Sequence, residues 1–188
     1  TVAYGGYESI ILCNTNSPAR LYGVAQSVGY GEYRAITPVG GGMPVNKYYF
    51  LPTHCRMRFD DVARILSEHG YFSASKSEKE HALDYYRDIC NCGICHEIIR
   101  DDINGFSTYN DSIPYTVKTR NGILTKNRPT TDATLIAAIH FLNCKVFEWN
   151  YIENENLSTV LDNLKSCYAQ YQPKLVGHIN KWCEIYGK

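Results

Sequence analysis

The sequence predicts an α/β protein in which a short strand-and-loop region precedes a mainly helical one. Residues 1–58 contain brief apolar and aromatic runs that end in glycine, with more glycine and proline in "VGYGEY" and "TPVGGGMP". This pattern is typical of strands joined by turns. From residue 59 onward, capping residues and apolar positions at helical spacing dominate. We therefore predict two domains, 1–58 and 59–188.

The strand-and-loop region begins with "TVAYGG" and "ARLYGV", two predicted strands separated by the turn "CNTNSP". The first predicted helix, "FDDVARILSEHG", has apolar residues at helical spacing and ends at Gly70. The second, "SEKEHALDYYRDI", opens with a capping box from Ser77 to Glu80.

The polar stretch 101–128 contains two Asn-Gly pairs and predicts either an irregular insertion or a hairpin. After Pro129 comes the longest predicted helix, with one apolar face formed by Leu135, Ile139, Leu142, Val146 and Trp149. Two further helices, about 157–171 and 174–186, are divided by Pro173.

The composition limits the function classes. Lys and Arg total 19 and Asp and Glu total 19, so no global basic field marks a nucleic-acid-binding protein. Contact with phosphates would depend on local basic residues, namely Lys47, Arg56, Arg58, Lys118, Arg120, Lys126 and Arg128. No apolar run is long enough to span a membrane, and the start has no charged leader before an apolar stretch. We expect a cytoplasmic protein without membrane contact.

Three of the eight cysteines form a cluster, Cys90-x-Cys92-x-x-Cys95. Buried free thiols or a redox pair are alternatives, but a redox pair needs only two thiols and a different context. Zinc requires four ligands, and a tight turn can supply three of them, with Gly93 allowing the turn. The fourth ligand is then His140 or Cys144, since His96 would have to share the same small loop. We predict one structural Zn²⁺ per chain, in a closed site.

The cysteine spacing, followed by a histidine in "IHFLNC", resembles the zinc site of the tRNA-guanine transglycosylase superfamily. The resemblance implies that Cys90, Cys92, Cys95 and His140 hold the metal. The interval of 45 residues from Cys95 to His140 is longer than is usual in the tRNA enzymes, and 101–128 would be the insertion. The segments "GGGMPVNKYYFLP" and "RPTTDATLIAAIHFL" are closer to the branch that places 7-deazaguanine bases in DNA.

The amino-terminal segments extend this resemblance. "AYGGYES" is similar to the family strand whose glycine amides face the edge of the bound base. "RLYGVAQ" is similar to the next strand, whose large residue covers the face of the base. The resemblance implies a base site at Gly5, Gly6, Tyr7 and Tyr22, with Gly23 following. It also implies that the chain holds the last strands of a (β/α)₈-type barrel plus a helical zinc-binding subdomain.

The chain departs from the family in its carboxylates. The family's nucleophilic aspartate should follow "YGV", but residues 25–59 contain no aspartate, and Glu32 is their only carboxylate. Asp60 and Asp61 come next and look like helix caps. A complete barrel takes about 250 residues, so an amino-terminal barrel half or a partner polypeptide would have to complete the enzyme.

These observations leave three expectations open. The first is a base-exchanging transglycosylase, or a subunit of one, that replaces guanine in nucleic acid, DNA rather than tRNA, with a 7-deazaguanine base. The second is a non-catalytic zinc-stabilised subunit that binds nucleic acid or a catalytic partner. The third is an α/β zinc module of unrelated function.

Overall fold

The computed structural model describes residues 2–14, 23–25, 46–119, 122–171 and 173–187. These residues combine helices with small sheets, which agrees with the predicted α/β class at that level. The α-helices they contain are α1 (Tyr7–Asn14), α2 (Phe59–Glu68), α3 (Glu78–Asp88), α4 (Gly93–Ile99), α5 (Thr131–Asn154), α6 (Leu157–Gln170) and α7 (Pro173–Tyr186). Two 3₁₀ helices cover Leu51–Thr53 and Ile103–Asn110.

The strands are short and form separate two-stranded sheets. They are β1 (Val2–Tyr4), β2 (Gly23–Ala25), β3 (Lys47–Phe50), β4 (Cys55–Arg58), β5 (Ser112–Thr119) and β6 (Gly122–Pro129). β1 and β2 form a parallel pair, β3 pairs with β4, and β5 and β6 form an antiparallel pair. The strands described here do not close a barrel.

The chain divides into two compact units that are interleaved in sequence. Unit 1 comprises Thr1–Arg34, Leu51–Cys55 and Cys144–Lys188, and unit 2 comprises Ala35–Phe50 and Arg56–Asn143. The predicted boundary at residue 58 rests on the change from strand-and-loop to helical sequence and not on spatial compactness, so it stays a prediction.

Unit 1 contains a β–α–β segment in which α1 lies between the parallel strands β1 and β2. Tyr7, at the start of α1, is almost fully buried, and its ring stacks on the His54 imidazole with centroids 3.7 Å apart. Burial raises the pKa of the Tyr7 hydroxyl, so it stays protonated. Helices α6 and α7 pack against each other, with buried apolar side chains that include Leu164 and Ile179.

Unit 2 has an aromatic core. The Phe106 ring stacks on Phe59 with centroids 4.9 Å apart and meets the Tyr48 ring edge-on at 5.1 Å. The predicted apolar face of α2 is buried. The predicted capping box is present at the start of α3, where Ser77 accepts from the Glu80 amide and Glu80 accepts from the Ser77 amide. These agreements follow because both signals are local.

The segment 101–128 contains the second 3₁₀ helix and most of an antiparallel hairpin, so the hairpin alternative is confirmed. In the hairpin Ser112 is opposite Pro129 and Thr119 is opposite Gly122. Every described side chain of the two strands is exposed or half-buried, and Ile123 is 73% exposed.

Helix α5 lies where the sequence predicts the longest helix, but its apolar stripe is largely exposed. Leu135 is 56% exposed and Leu142 is 48% exposed. The buried positions instead include His140, Phe141, Cys144 and Glu148. Helical periodicity therefore located the helix, and it did not identify which face is buried. In the described part of the chain, no helix combines the length and apolarity needed to cross a membrane.

Candidate metal centre

Three thiols come together at the junction between α3 and α4. Cys90 follows the last turn of α3, and its amide donates to the Tyr85 carbonyl at 3.2 Å. Cys92 is the N-cap of α4, with extended backbone, and Cys95 lies in the first turn of that helix. The change of direction between two helices therefore brings side chains only five residues apart in sequence to one place.

Gly93 is not required for this turn. The space around an added Cβ at Gly93 is open, and its backbone is not in the left-handed region. The turn is made by Cys92, whose extended backbone conformation any L-amino acid can adopt. The expectation that glycine makes the turn possible was therefore wrong.

His140, on α5, is placed where it could supply a fourth ligand. It is fully buried, and its Nε2 lies 2.8 Å from the Tyr49 carbonyl oxygen. Because a carbonyl only accepts, Nε2 carries the proton, and the lone pair of neutral His140 is on Nδ1. Nδ1 lies 3.4 Å from Cys92 Sγ, 3.4 Å from Cys95 Sγ and 3.9 Å from Cys90 Sγ.

These distances fit a tetrahedral zinc site. All four ligand atoms lie within 4.8 Å of one another. Zn–S bonds of about 2.3 Å and Zn–N bonds of about 2.05 Å in a tetrahedron place sulfur and nitrogen about 3.6 Å apart. The cluster can therefore take up a zinc ion with little movement. Cys144 does not belong to the cluster, and the His96 side chain instead contacts Asn91 Oδ1.

Three tyrosine hydroxyls surround one of the thiols. Tyr109 Oη lies 3.4 Å from Cys95 Sγ. Tyr48 Oη and Tyr85 Oη contact each other, and each lies 3.5 Å from the same sulfur. Burial, and then the neighbouring Cys95, raise the pKa of all three hydroxyls, so they stay protonated and available as donors. The sequence contains sixteen tyrosines, and their spacing does not indicate which of them surround a thiol.

The hydroxyls have an electrostatic role in a metal-loaded site. Three thiolates and a neutral imidazole around Zn²⁺ carry a net charge of −1, and burying that charge is unfavourable unless donors compensate for it. Tyr109 can donate to Cys95 Sγ. Of Tyr48 and Tyr85 only one can do so at a time, because the other donates to its neighbour's hydroxyl. Outer-sphere hydrogen bonds of this kind orient ligands and tune metal affinity.

Without metal, the cluster holds protons that zinc would displace. Burial lowers the pKa of His140, but hydrogen bonds with Cys92 and Cys95 outweigh it and raise the pKa to about 10. Burial raises the pKa of Cys95, but hydrogen bonds from Cys90, Cys92 and His140 leave it well below its usual value. Metal binding therefore releases protons as the ligands take their binding forms.

With four protein ligands the metal has no open position for water or substrate. Zinc bound in this way organises the fold and does not activate a nucleophile. Any catalytic chemistry must come from other residues.

The residues predicted to bind a base are only partly brought together. Gly5 and Gly6 are buried at the carboxyl end of β1, and the Gly6 amide donates to Glu8 Oε1 at 3.0 Å. The Gly5 amide donates to the Ala25 carbonyl at 3.4 Å. Tyr7 is adjacent and buried.

The other two predicted base-site residues differ in position. Gly23 is opposite Val2, at the other end of the two-stranded sheet from Gly5. Tyr22 lies outside the described residues. The base site therefore stays a prediction.

The alternative nucleophilic carboxylates differ in their placement. Asp60 and Asp61 lie in the first turn of α2, whose N-cap is Arg58. Their negative charges interact favourably with the helix dipole, but neither residue caps the helix. Glu32 lies outside the described residues.

The basic residues predicted to contact phosphates fall into two groups. Lys47, Arg56 and Arg58 lie on the paired strands β3 and β4. The Arg56 guanidinium lies 3.8 Å above the Phe141 ring centroid, as in a cation–π contact. Lys118, Lys126 and Arg128 lie on the β5–β6 hairpin, whereas Arg120 lies outside the described residues.

Comparison with known proteins adds no relative. No family model matches the chain, and neither a curated protein nor a solved structure matches it.

Proposed function

We propose that the chain is the zinc-stabilised carboxy-terminal part, or a subunit, of a base-exchanging transglycosylase. In this proposal the enzyme replaces guanine in nucleic acid, DNA in preference to tRNA, with a 7-deazaguanine base. The observation that carries the proposal is the Cys₃His cluster, Cys90, Cys92, Cys95 and His140, which has the ligand set and order that the family resemblance implies. One structural Zn²⁺ per chain belongs to it.

The β1–α1–β2 segment supports the proposal. Parallel strands joined by a helix are the repeating unit of a (β/α)₈ barrel, and the active sites of such barrels lie at the carboxyl ends of the strands. Gly5 and Gly6 follow the carboxyl end of β1. In this proposal β1 and β2 are the last strands of a barrel, and the glycine amides face the base.

Glu8 acquires a role in this arrangement. Its carboxylate accepts from the Gly6 amide, the donor that the proposal assigns to the edge of the base. A base that uses the same donor must displace Glu8 from it. Glu8 therefore stands in for the acceptor edge of the base while the site is empty.

Exchange also needs a nucleophilic carboxylate, and residues 25–59 contain no aspartate. We therefore assign the nucleophile to an amino-terminal barrel half or a partner polypeptide. We place the assembly in the cytoplasm, because an organised cysteine cluster suits a reducing compartment.

A second candidate is a non-catalytic zinc-stabilised subunit that binds nucleic acid or a catalytic partner. The missing aspartate favours this candidate. It differs from the first in requiring no base site in this chain.

The test is incorporation of a labelled 7-deazaguanine base into DNA and into tRNA. The isolated chain should give none, because positioning of the nucleophile contributes roughly 7–11 kcal/mol to such a reaction. The full-length or co-expressed assembly should label DNA more than tRNA. An assembly that labels neither overturns the transglycosylase proposal and leaves the subunit candidate. Labelling by the isolated chain would point to Glu32, Asp60 or Asp61 as the nucleophile.

A further inference from the structure

The β5–β6 hairpin, here called the β-ribbon (Ser112–Thr119 and Gly122–Pro129), concentrates positive charge. Residues 112–129 include the four basic residues Lys118, Arg120, Lys126 and Arg128 and no Asp or Glu. The whole chain, by contrast, has equal numbers of basic and acidic residues. The β-ribbon is therefore a local basic element in a protein with no net charge.

The β-ribbon also exposes apolar side chains on both faces. Ile123 is 73% exposed, Leu124 is 46% exposed and Ile113 is 42% exposed. Cross-strand neighbours share a face, so Leu124 and Ile113 lie on one face and Ile123 on the other. A two-stranded hairpin without a covering layer is only marginally stable in water. An exposed ribbon of this composition is better suited to contact a partner than to stabilise its own unit.

The strand register places cations beside an aromatic ring. Lys126 is opposite Tyr115 and Arg128 is opposite Ile113, so these four residues share one face. The Arg128 guanidinium lies 5.9 Å from the Tyr115 ring centroid. Lys118 lies on the other face, opposite Ile123.

Small polar side chains accompany the cations. Thr116 and Thr125 are opposite each other and exposed on the face that carries Lys118. Hydroxyls and amides of this kind contact phosphate oxygens and base edges in nucleic-acid complexes. Together with the cations and the aromatic ring, these side chains form a surface that is complementary to nucleic acid.

We propose that the β-ribbon binds duplex DNA by lying in the major groove, with Lys126 and Arg128 on phosphates. The groove is about 12 Å wide and 8.5 Å deep and admits a two-stranded ribbon. The two strands are about 4.8 Å apart and roughly 26 Å long, which leaves room for side chains on each side. The major groove of A-form RNA is too deep and narrow for this contact, so the β-ribbon selects DNA over RNA duplexes.

The inference does not depend on base exchange, because DNA binding can be measured in a chain that exchanges no base. The probe is a fluorescein-labelled DNA duplex of about 20 base pairs, titrated with the zinc-loaded full chain at several salt concentrations. The anisotropy gives the affinity and its salt dependence. The double variant K126Q/R128Q should bind several-fold to tenfold more weakly, and its log K against log salt slope should be shallower by about 2.

The matched control removes the same charge elsewhere. Lys79 and Lys165 are exposed cations outside the β-ribbon, and K79Q/K165Q should keep the parent affinity and slope. An RNA duplex of the same sequence should bind more weakly than DNA to the parent chain. Circular dichroism and zinc content confirm that each variant is folded.

Several outcomes overturn the proposal. They are equal affinity of parent and K126Q/R128Q, an equal loss in the control variant, equal binding of RNA and DNA duplexes, and no DNA binding at low salt. The last, together with capture of a defined protein partner by the β-ribbon, would reassign the surface to protein recognition. Failure of base incorporation changes none of these readouts, so the two proposals fail separately.

Discussion

The Tyr48 ring stacks on the His140 imidazole, with centroids 4.2 Å apart and planes 17° apart. The hydroxyl of the same tyrosine lies 3.5 Å from Cys95 Sγ. One buried side chain thus contacts two of the four predicted metal ligands. It packs against the imidazole face, while the Tyr49 carbonyl fixes the imidazole edge. The orientation of His140 is therefore set by packing and hydrogen bonding before any metal binds.

The three tyrosine hydroxyls around Cys95 should tune metal affinity. Tyr109→Phe removes one hydroxyl 3.4 Å from Cys95 Sγ and keeps the ring. We expect zinc affinity to fall roughly tenfold, because the buried thiolate loses one of its donors. Competition with a chromophoric chelator measures the change. In the Co²⁺-substituted protein, the thiolate-to-cobalt absorption should move to longer wavelength, since a thiolate with fewer hydrogen bonds gives up electron density more easily.

The control for this prediction is Tyr86→Phe. The Tyr86 hydroxyl donates to the Arg100 carbonyl at 2.6 Å, outside the cluster. Its removal should leave the zinc affinity and the cobalt spectrum unchanged. Equal behaviour of the Tyr109 and Tyr86 variants would show that the hydroxyls only fill space.

Purified protein should contain one zinc per chain, and Cys92→Ser should lose it. Structural zinc sites contribute on the order of 10 kcal/mol or more to folding, so the variant should also lose much of the structure of unit 2. Elemental analysis and thermal melting give the two readouts. Cys183→Ser, a half-exposed cysteine in α7, should keep both the zinc and the melting temperature. A parent protein whose melting temperature stays unchanged when its metal is removed would contradict this prediction.

His140 and Cys144 can be distinguished in the same experiment. The structure places His140 Nδ1 among the thiols, and Cys144 is outside the cluster. His140→Ala should therefore lose zinc, whereas Cys144→Ala should retain it. The opposite result would move the fourth ligand to Cys144.

The sequence was sufficient to select the three thiols of the candidate metal cluster because their spacing is a local pattern. Cys90, Cys92 and Cys95 lie within six residues, and a single helix places His140. The tyrosines around Cys95 come from β3, α3 and the second 3₁₀ helix, and no spacing motif marks a tyrosine as the neighbour of a thiol. Contacts of high sequence separation follow from tertiary packing, which periodicity does not encode.

Helix α5 shows the same limit in another way. The most regular apolar stripe contains Leu135 and Leu142, yet these side chains are largely exposed. The buried positions of this helix include His140, a polar residue whose imidazole belongs to the candidate metal cluster. A pattern that assigns only apolar residues to the buried face therefore misses it.

Two glycines near the cluster should respond oppositely to alanine. A Cβ at Gly105 would lie 2.5 Å from the Ile98 carbonyl oxygen and 3.1 Å from Ile99 Cα. Both atoms belong to the backbone of α4 and its end, so Gly105→Ala should destabilise by about 1–3 kcal/mol. At Gly93 a Cβ meets open space, and Gly93→Ala should be neutral or stabilise by about 0.4–1 kcal/mol.

Urea unfolding of both glycine variants tests this pair, with zinc content measured alongside. Gly93→Ala should retain full zinc although Gly93 lies between two ligands. Loss of zinc in that variant would show that glycine is needed at the turn after all.

The stability of unit 1 should decline below neutral pH because of His178. Burial lowers the pKa of His178, with a further contribution from nearby His54, while its Nε2 lies 2.8 Å from the Thr53 carbonyl. An unfolded histidine has a pKa of about 6.5, so the unfolded chain binds the proton more readily. The stability is therefore present above pH of about 6.5 and is lost as the pH falls through the lower folded pKa.

His178→Gln keeps an amide donor for Thr53 and does not titrate, so its stability should fall less over the same interval. Both tryptophans, Trp149 and Trp182, belong to unit 1, and their fluorescence during urea unfolding at pH 7.5 and pH 5.5 reports on this unit. Other acidic and basic groups affect parent and variant equally, so the difference between the two proteins isolates His178. Parallel pH profiles would show that the buried imidazole does not set the acid sensitivity.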